Sequence, residues 1–133
     1  MVTTKYTEGI GRRKTATARV RIIPAKATTV TVNDKPISEY FTIESHVKDV
    51  MSVLDTKEAG IEDYTITAKV SGSGLSAQAE AIRLGIARAL VGEKKDRRSI
   101  LKPLGFLKRD PRSVERKKFG LLKARRKPQW SKR

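Results

Sequence analysis

The chain has 133 residues, a formal net charge of +16 and no cysteine. That length suits one domain with little to spare, and the missing cysteines exclude disulfides and thiolate metal sites. So strong a positive field favours polyanionic partners, nucleic acid or an anionic membrane surface.

In chain order, "MVTTKYTEG" lacks the apolar stretch of a signal peptide, and no run of about 18 apolar residues exists to span a bilayer. The expected setting is the cytoplasm. "GIGRRK" reads as a glycine-flanked turn carrying three adjacent cations, Arg12, Arg13 and Lys14. "TATARVRII", Thr15 to Ile23, alternates: Ala16, Ala18, Val20 and Ile22 fall on one face, Thr17, Arg19 and Arg21 on the other. Period two with β-branched residues predicts a half-buried strand, ended by Pro24. "TTVTV", Thr28 to Val32, predicts a second strand, and Asn33-Asp34 a turn. From Glu44 to Leu54 the period changes. Val47, Val50, Met51 and Leu54 form one stripe of an amphipathic helix, and His46, the only histidine, adjoins it as a boundary residue. "DYTITAKV", Asp63 to Val70, is a third strand with Tyr64, Ile66, Ala68 and Val70 on one face. Ser76 to Val91 is a second helix, rich in alanine, with Ile82, Ile86, Ala89 and Leu90 on one stripe. The order strand, strand, helix, strand, helix predicts an α+β body, a small mixed sheet with two main helices on one face.

Composition then shifts. Residues 1–93 carry 13 basic and 11 acidic side chains, a net of +2. Residues 94–133 carry 17 and 3, a net of +14, and the two sums give +16. The chain therefore reads as a nearly neutral body (1–93), a connector (94–107) with one short helix near Arg97 to Lys102 broken by Pro103 and Gly105, and a basic tail (108–133). The tail alone buries too little to offset its ordering entropy, so it is expected to be disordered when free. Phosphate oxygens supply what a core does not, because each Lys or Arg contact also releases condensed counterions. Trp130 offers a stacking surface beside Pro128. The competing reading is a generic basic tail. A membrane-binding helix is disfavoured, since the tail has no apolar face.

"GSGLSA", Gly72 to Ala77, satisfies the dinucleotide fingerprint G-x-G-x-x-G/A and lies between a predicted strand and a predicted helix. The reading fails at the next step, because the helix runs into "GEKKDRRS" and not into a second strand. The glycines are better explained by a tight strand-to-helix turn. No catalytic constellation is suggested elsewhere, so an enzyme, a cofactor and a metal site are not expected.

Four stretches together resemble one family: "GIGRRKTATARVRI", "VNDKPISEYF" at Val32 to Phe41, "VSGSGLSAQAEAIRLGIARAL" at Val70 to Leu90, and "LKPLGFLKRDPRSVERKKFGLLKARRKPQWSKR" to the last residue. The chain is similar, over essentially its whole length, to small-subunit ribosomal protein nine of the bacterial and organellar type. That resemblance implies a left-handed βαβ crossover and a place in the head of the small subunit, on ribosomes of the cytoplasm or an organelle matrix. It implies as partners the small-subunit rRNA, neighbouring head proteins and the peptidyl-site tRNA, with no membrane. Arg12, Arg13, Lys14, Arg19 and Arg21 would meet rRNA from the body. Arg109, Arg112, Arg116, Lys117, Lys118, Lys123, Arg125, Arg126 and Lys127 would thread between rRNA phosphates, and Ser131, Lys132 and Arg133 would touch the backbone of the tRNA anticodon stem-loop. The alternative is a generic nucleic-acid-binding protein off the ribosome. The chain departs from the family pattern at Ser73, where glycine is usual, at "PAKATT", which replaces a Pro-Gly-x-Gly turn, and at Trp130, where phenylalanine is common.

Overall fold

The computed structural model describes residues 4–131. Five strands form one mixed sheet, β1 (Thr7–Arg13), β2 (Ala16–Pro24), β3 (Thr29–Val32), β4 (Lys35–Pro36) and β5 (Tyr64–Ser71), in the order β1-β2-β5-β3-β4. Only the β3/β5 pair is parallel. The chain crosses between those two strands through the short helix α1 (Ile37–Tyr40) and through α2 (Glu44–Met51). The long helix α3 (Leu75–Glu93) follows β5, and a 3-10 turn (Lys95–Arg97) leads into α4 (Arg98–Leu101).

The alternating runs fold as their period dictates. Ala16, Ala18, Val20 and Ile22 of β2 and Tyr64, Ile66, Ala68 and Val70 of β5 are buried on one face, where they meet Ala81, Ile82, Ile86, Ala89 and Leu90 of α3. Val50 and Val53 at the end of α2 close the core beside Phe41. His46 lies edge-on to Phe41, ring centroids 5.9 Å apart. The predicted α+β body with its helices over one face is the observed one.

The first correction concerns "GIGRRK". It is not a turn but most of β1, paired antiparallel to β2 from Thr7↔Ile22 to Arg13↔Ala16. The turn is Lys14-Thr15, with Lys14 at φ 52°. Gly9 and Gly11 form the inward face of this strand and lie flat against α3. A Cβ on Gly9 would stand 2.2 Å from the Gly85 carbonyl oxygen, and one on Gly11 1.7 Å from that of Ala81. Such contacts are with backbone and cannot be relieved by a rotamer change. The small residues Ala81, Gly85 and Ala89, spaced four apart on α3, accept the strand at this distance.

The Asn33-Asp34 turn joins β3 to β4 as a two-residue hairpin, both residues left-handed (φ 49° and 66°), as the I′ type requires. Asn33 also extends the sheet. Its side-chain oxygen accepts the Val70 N–H at 3.0 Å, and its amide donates to the Val70 carbonyl at 3.0 Å. The amide reaches Tyr40 Oη, which donates to Gln78 Oε1 at 2.6 Å, and Gln78 Nε2 donates to the Gly72 carbonyl. One polar chain thus links the β3 turn, α1, α3 and the loop before α3.

That loop explains the glycine motif. Gly72 has φ +85°, and a Cβ there would lie 2.5 Å from the Thr15 carbonyl oxygen, whereas Gly74 meets nothing within 4 Å. Ser73 is left-handed at φ 52°, a conformation that costs a non-glycine residue about 1–2 kcal/mol. No strand follows α3 among the described residues, so the dinucleotide unit is incomplete. Ser73→Gly should raise stability by about 0.5 kcal/mol, since relief of strain exceeds the added unfolded-state entropy. Gly72→Ala should lower it by about 2 kcal/mol. Urea unfolding of both variants measures these opposite signs, and equal effects would show that the loop tolerates either residue at either place.

A second correction concerns the core, which the charge pattern limits to about the first 93 residues. The connector belongs to it. Leu101 is fully buried, and Ile100, Phe106 and Leu107 pack against the same cluster. Arg97 is 2% exposed. Its guanidinium donates to Glu93 at 2.8 Å, to Tyr64 Oη at 3.0 Å and to the Gly60 carbonyl at 3.3 Å. Burial, together with the Glu93 carboxylate, pushes the Tyr64 phenol up from its ordinary pKa.

Candidate RNA interface

Three cationic regions are set out by this fold. The first is the outward face of the sheet, which no helix covers. The alternation that buries Val20 and Ile22 turns Arg19 and Arg21 outward. Glu8 of β1 joins them, with Arg19 Nε at 2.9 Å and Arg21 Nε at 3.8 Å from its carboxylate. The hydrogen bond from Arg19 holds the Glu8 carboxyl below its usual pKa, and burial opposes it weakly. Arg21 also lies over the Tyr6 ring, 4.5 Å from its centroid.

The second region is the β1–β2 hairpin end, where Arg12 and Lys14 are exposed and Arg13 is not. Alternation places Arg13 on the inward face after Gly9 and Gly11. Its guanidinium donates to Glu80 of α3 at 2.7 Å, stands 3.5 Å from Asp110, and donates to the Arg112 carbonyl. Arg13 therefore joins α3 to the root of the tail. Asp110 also takes a bidentate pair from Arg112, at 2.8 Å to Nη2, and the Arg112 backbone N–H at 3.0 Å. These bonds, led by the Arg112 side chain, hold the Asp110 carboxyl well below the carboxylate range. Beside this contact an open cleft of about 420 Å³ is lined by Arg83, Lys108, Arg109 and Arg112.

The third region is the tail, which has no helix or strand among the described residues beyond Leu101. Arg109, Arg112, Arg116, Lys117, Lys118, Lys123, Arg125, Arg126 and Lys127 are all exposed. Glu115 pairs with both Lys118 and Arg125, the latter at 2.9 Å, and closes a loop that presents Phe119, 98% exposed, beside Gly120. Those pairs, Lys118 first, lower the Glu115 pKa. Trp130 is 80% exposed. Ser131 is exposed, and Lys132 and Arg133 lie outside the described residues.

The sequence reading missed Lys69, Arg83 and Lys108 as members of these groups. Lys69 was legible, since "DYTITAKV" alternates and puts it outward opposite Val70. The position of Arg83 beside the tail root depends on tertiary packing and left no local signal.

A neutral body that grips a strongly cationic, aromatic-bearing extension is the build of a structural RNA-binding protein. Comparison with known proteins names the group. The profile described as "Ribosomal protein S9/S16" matches residues 11–133. The chain is similar to the protein "Small ribosomal subunit protein uS9" of Gloeothece citriformis (strain PCC 7424), 50% identical over 127 residues, 94% of this chain and 90% of that one. The chain belongs to the ribosomal protein S9/S16 family and is a structural protein, not an enzyme. No described helix is long and apolar enough to cross a membrane.

Proposed function

We propose that this chain is a structural constituent of the small ribosomal subunit in the cytoplasm. It sits in the subunit head beside other head proteins, binds small-subunit rRNA with body and tail, and contacts the anticodon stem-loop backbone of peptidyl-site tRNA with Ser131, Lys132 and Arg133. Family membership supports the ribosomal part. The observation that carries the rest is the tail itself: exposed cations and aromatics on a chain rooted to the body at Arg13. Such a chain is suited to run between phosphates and to deliver its last residues at a distance from the core. The other reading, a nucleic-acid-binding protein off the ribosome, has no observation that favours it.

Deleting Ser131, Lys132 and Arg133 should weaken peptidyl-site tRNA binding by about 0.5–2 kcal/mol, the worth of one or two charge-assisted hydrogen bonds. Different tRNAs should lose alike, because backbone contacts carry no sequence information. Filter binding of several tRNAs to purified subunits, with and without the three residues, tests this. Equal affinity in both would remove the role assigned to them, and loss for one tRNA alone would point to base reading by Trp130.

A further inference from the structure

The outward face of the sheet is a row of hydroxyls and cations. Arg19 and Lys69 are direct cross-strand partners between β2 and β5, and Arg21 and Thr67 are the next pair on that face. Like charges directly opposite one another on a sheet destabilise it. The body nevertheless places Arg19 against Lys69, and Lys69 has no ion pair among the described residues. Glu8 relieves one side only: it engages Nε of Arg19, and Arg21 at longer range. Arg21 is held flat by Tyr6, which fixes the plane of its guanidinium while the in-plane N–H groups can still donate. Arg19, Arg21, Thr67 and Lys69 line a groove of about 220 Å³. Every side chain in that lining offers a hydrogen-bond donor, and none is a carboxylate.

We propose that this groove is a second RNA-backbone site, in which a phosphodiester lies between Arg19 and Lys69, with Arg21 and the Thr67 hydroxyl as further donors. An anion there converts the cross-strand repulsion into two charge-assisted contacts. The groove is too small and open for a drug-sized ligand, and it has no amphipathic helix to enter a membrane. This deepens the ribosomal reading and rests on it: the rRNA would be held by the sheet face as well as by the tail, on two sides of the body.

The test uses the full chain and a small-subunit head-domain rRNA fragment, with filter binding from 50 to 200 mM salt. Lys69→Gln and Arg19→Gln should each flatten the log–log salt slope by about 0.7–0.9 and weaken binding about 5- to 8-fold at 100 mM. Glu8→Gln should bind more tightly, because it releases both arginines. Lys69→Gln should melt no lower than the parent, since it removes a repulsion and no packing. Unchanged affinity and slope for Lys69→Gln and Arg19→Gln, with weakening by Lys117→Gln, would overturn the sheet-face site and leave the tail's role standing. If the unmodified chain does not bind the fragment, the ribosomal reading itself falls. Lower melting of Lys69→Gln would refute the repulsion on which the site is argued. In assembled subunits, crosslinks from Lys69 should reach rRNA, and crosslinks to an acidic protein segment would overturn the assignment.

Discussion

Replacing Arg97 by methionine should cost about 3 kcal/mol of folding stability, whereas replacing its neighbour Arg98 by alanine should change it by less than about 0.5 kcal/mol. The two arginines are adjacent and chemically identical. Arg97 is inside, bonded to Glu93, Tyr64 and the Gly60 carbonyl, while Arg98 is exposed. Methionine keeps most of the volume, so the loss is not a cavity effect. It strands the Glu93 carboxylate and the Tyr64 hydroxyl without their shared donor, and removing one partner of a buried pair typically costs about 3–5 kcal/mol. The lower end applies because the Glu93 side chain keeps 23% of its exposure. In a domain of this size the shift in melting temperature is roughly 10–15 °C. Urea unfolding of the two variants decides the matter: equal, small losses would mean that the Arg97 cluster adds nothing. Adding Glu93→Gln to the Arg97→Met variant should recover part of the loss, because the stranded charge is then gone.

Cutting the chain after Ser113 should remove most of the salt dependence of rRNA binding. The segment lost carries nine basic residues and one acidic, a net of +8. A protein with six to ten phosphate contacts loses about 10³- to 10⁵-fold in affinity between 50 and 200 mM salt, and two or three remaining contacts would leave only about 10- to 40-fold. The position of the cut follows from the structure. Ending at Lys108 would also delete Asp110 and the Arg112 carbonyl, and so leave the nearly buried Arg13 with Glu80 alone. A cut at 113 separates loss of tail cations from damage to the body. Salt titration of both chains against the same rRNA is the measurement. A parallel slope in the shortened chain would place the dominant contacts on the body.

The elements that could be read from the sequence are those whose period is written in apolar side chains. β2 and β5 alternate valine, isoleucine and alanine with polar residues, and α3 repeats its stripe over five turns. β1 has the same period, but its inward face is Gly9 and Gly11, which carry no hydrophobic signal; their meaning is a distance to α3. The same limit applies to the cations. Arg12 and Arg13, or Arg97 and Arg98, differ only in which way the backbone turns them and in which carboxylate waits there. Summing charge from residue 94 onward therefore counts Arg97 as part of a solvated arm, although it is bonded into the body. The tail's cationic character is open to composition; the grip of Arg13 on Asp110 and Arg112, across nearly a hundred residues, is not.

The close fit of β1 against α3 also sets an order of events during synthesis. Gly11 is made 70 residues before Ala81, the residue it touches. At about 5–20 residues per second the strand waits roughly 4–14 s for the helix that covers it. In that interval it has only β2, and a lone hairpin is marginally stable. The three cations beside its turn wait longer, because Arg13 does not meet Asp110 until almost the whole chain has been made. The nascent body thus offers its most basic corner to any polyanion nearby, and withdraws one arginine from that corner only when its own late carboxylate arrives.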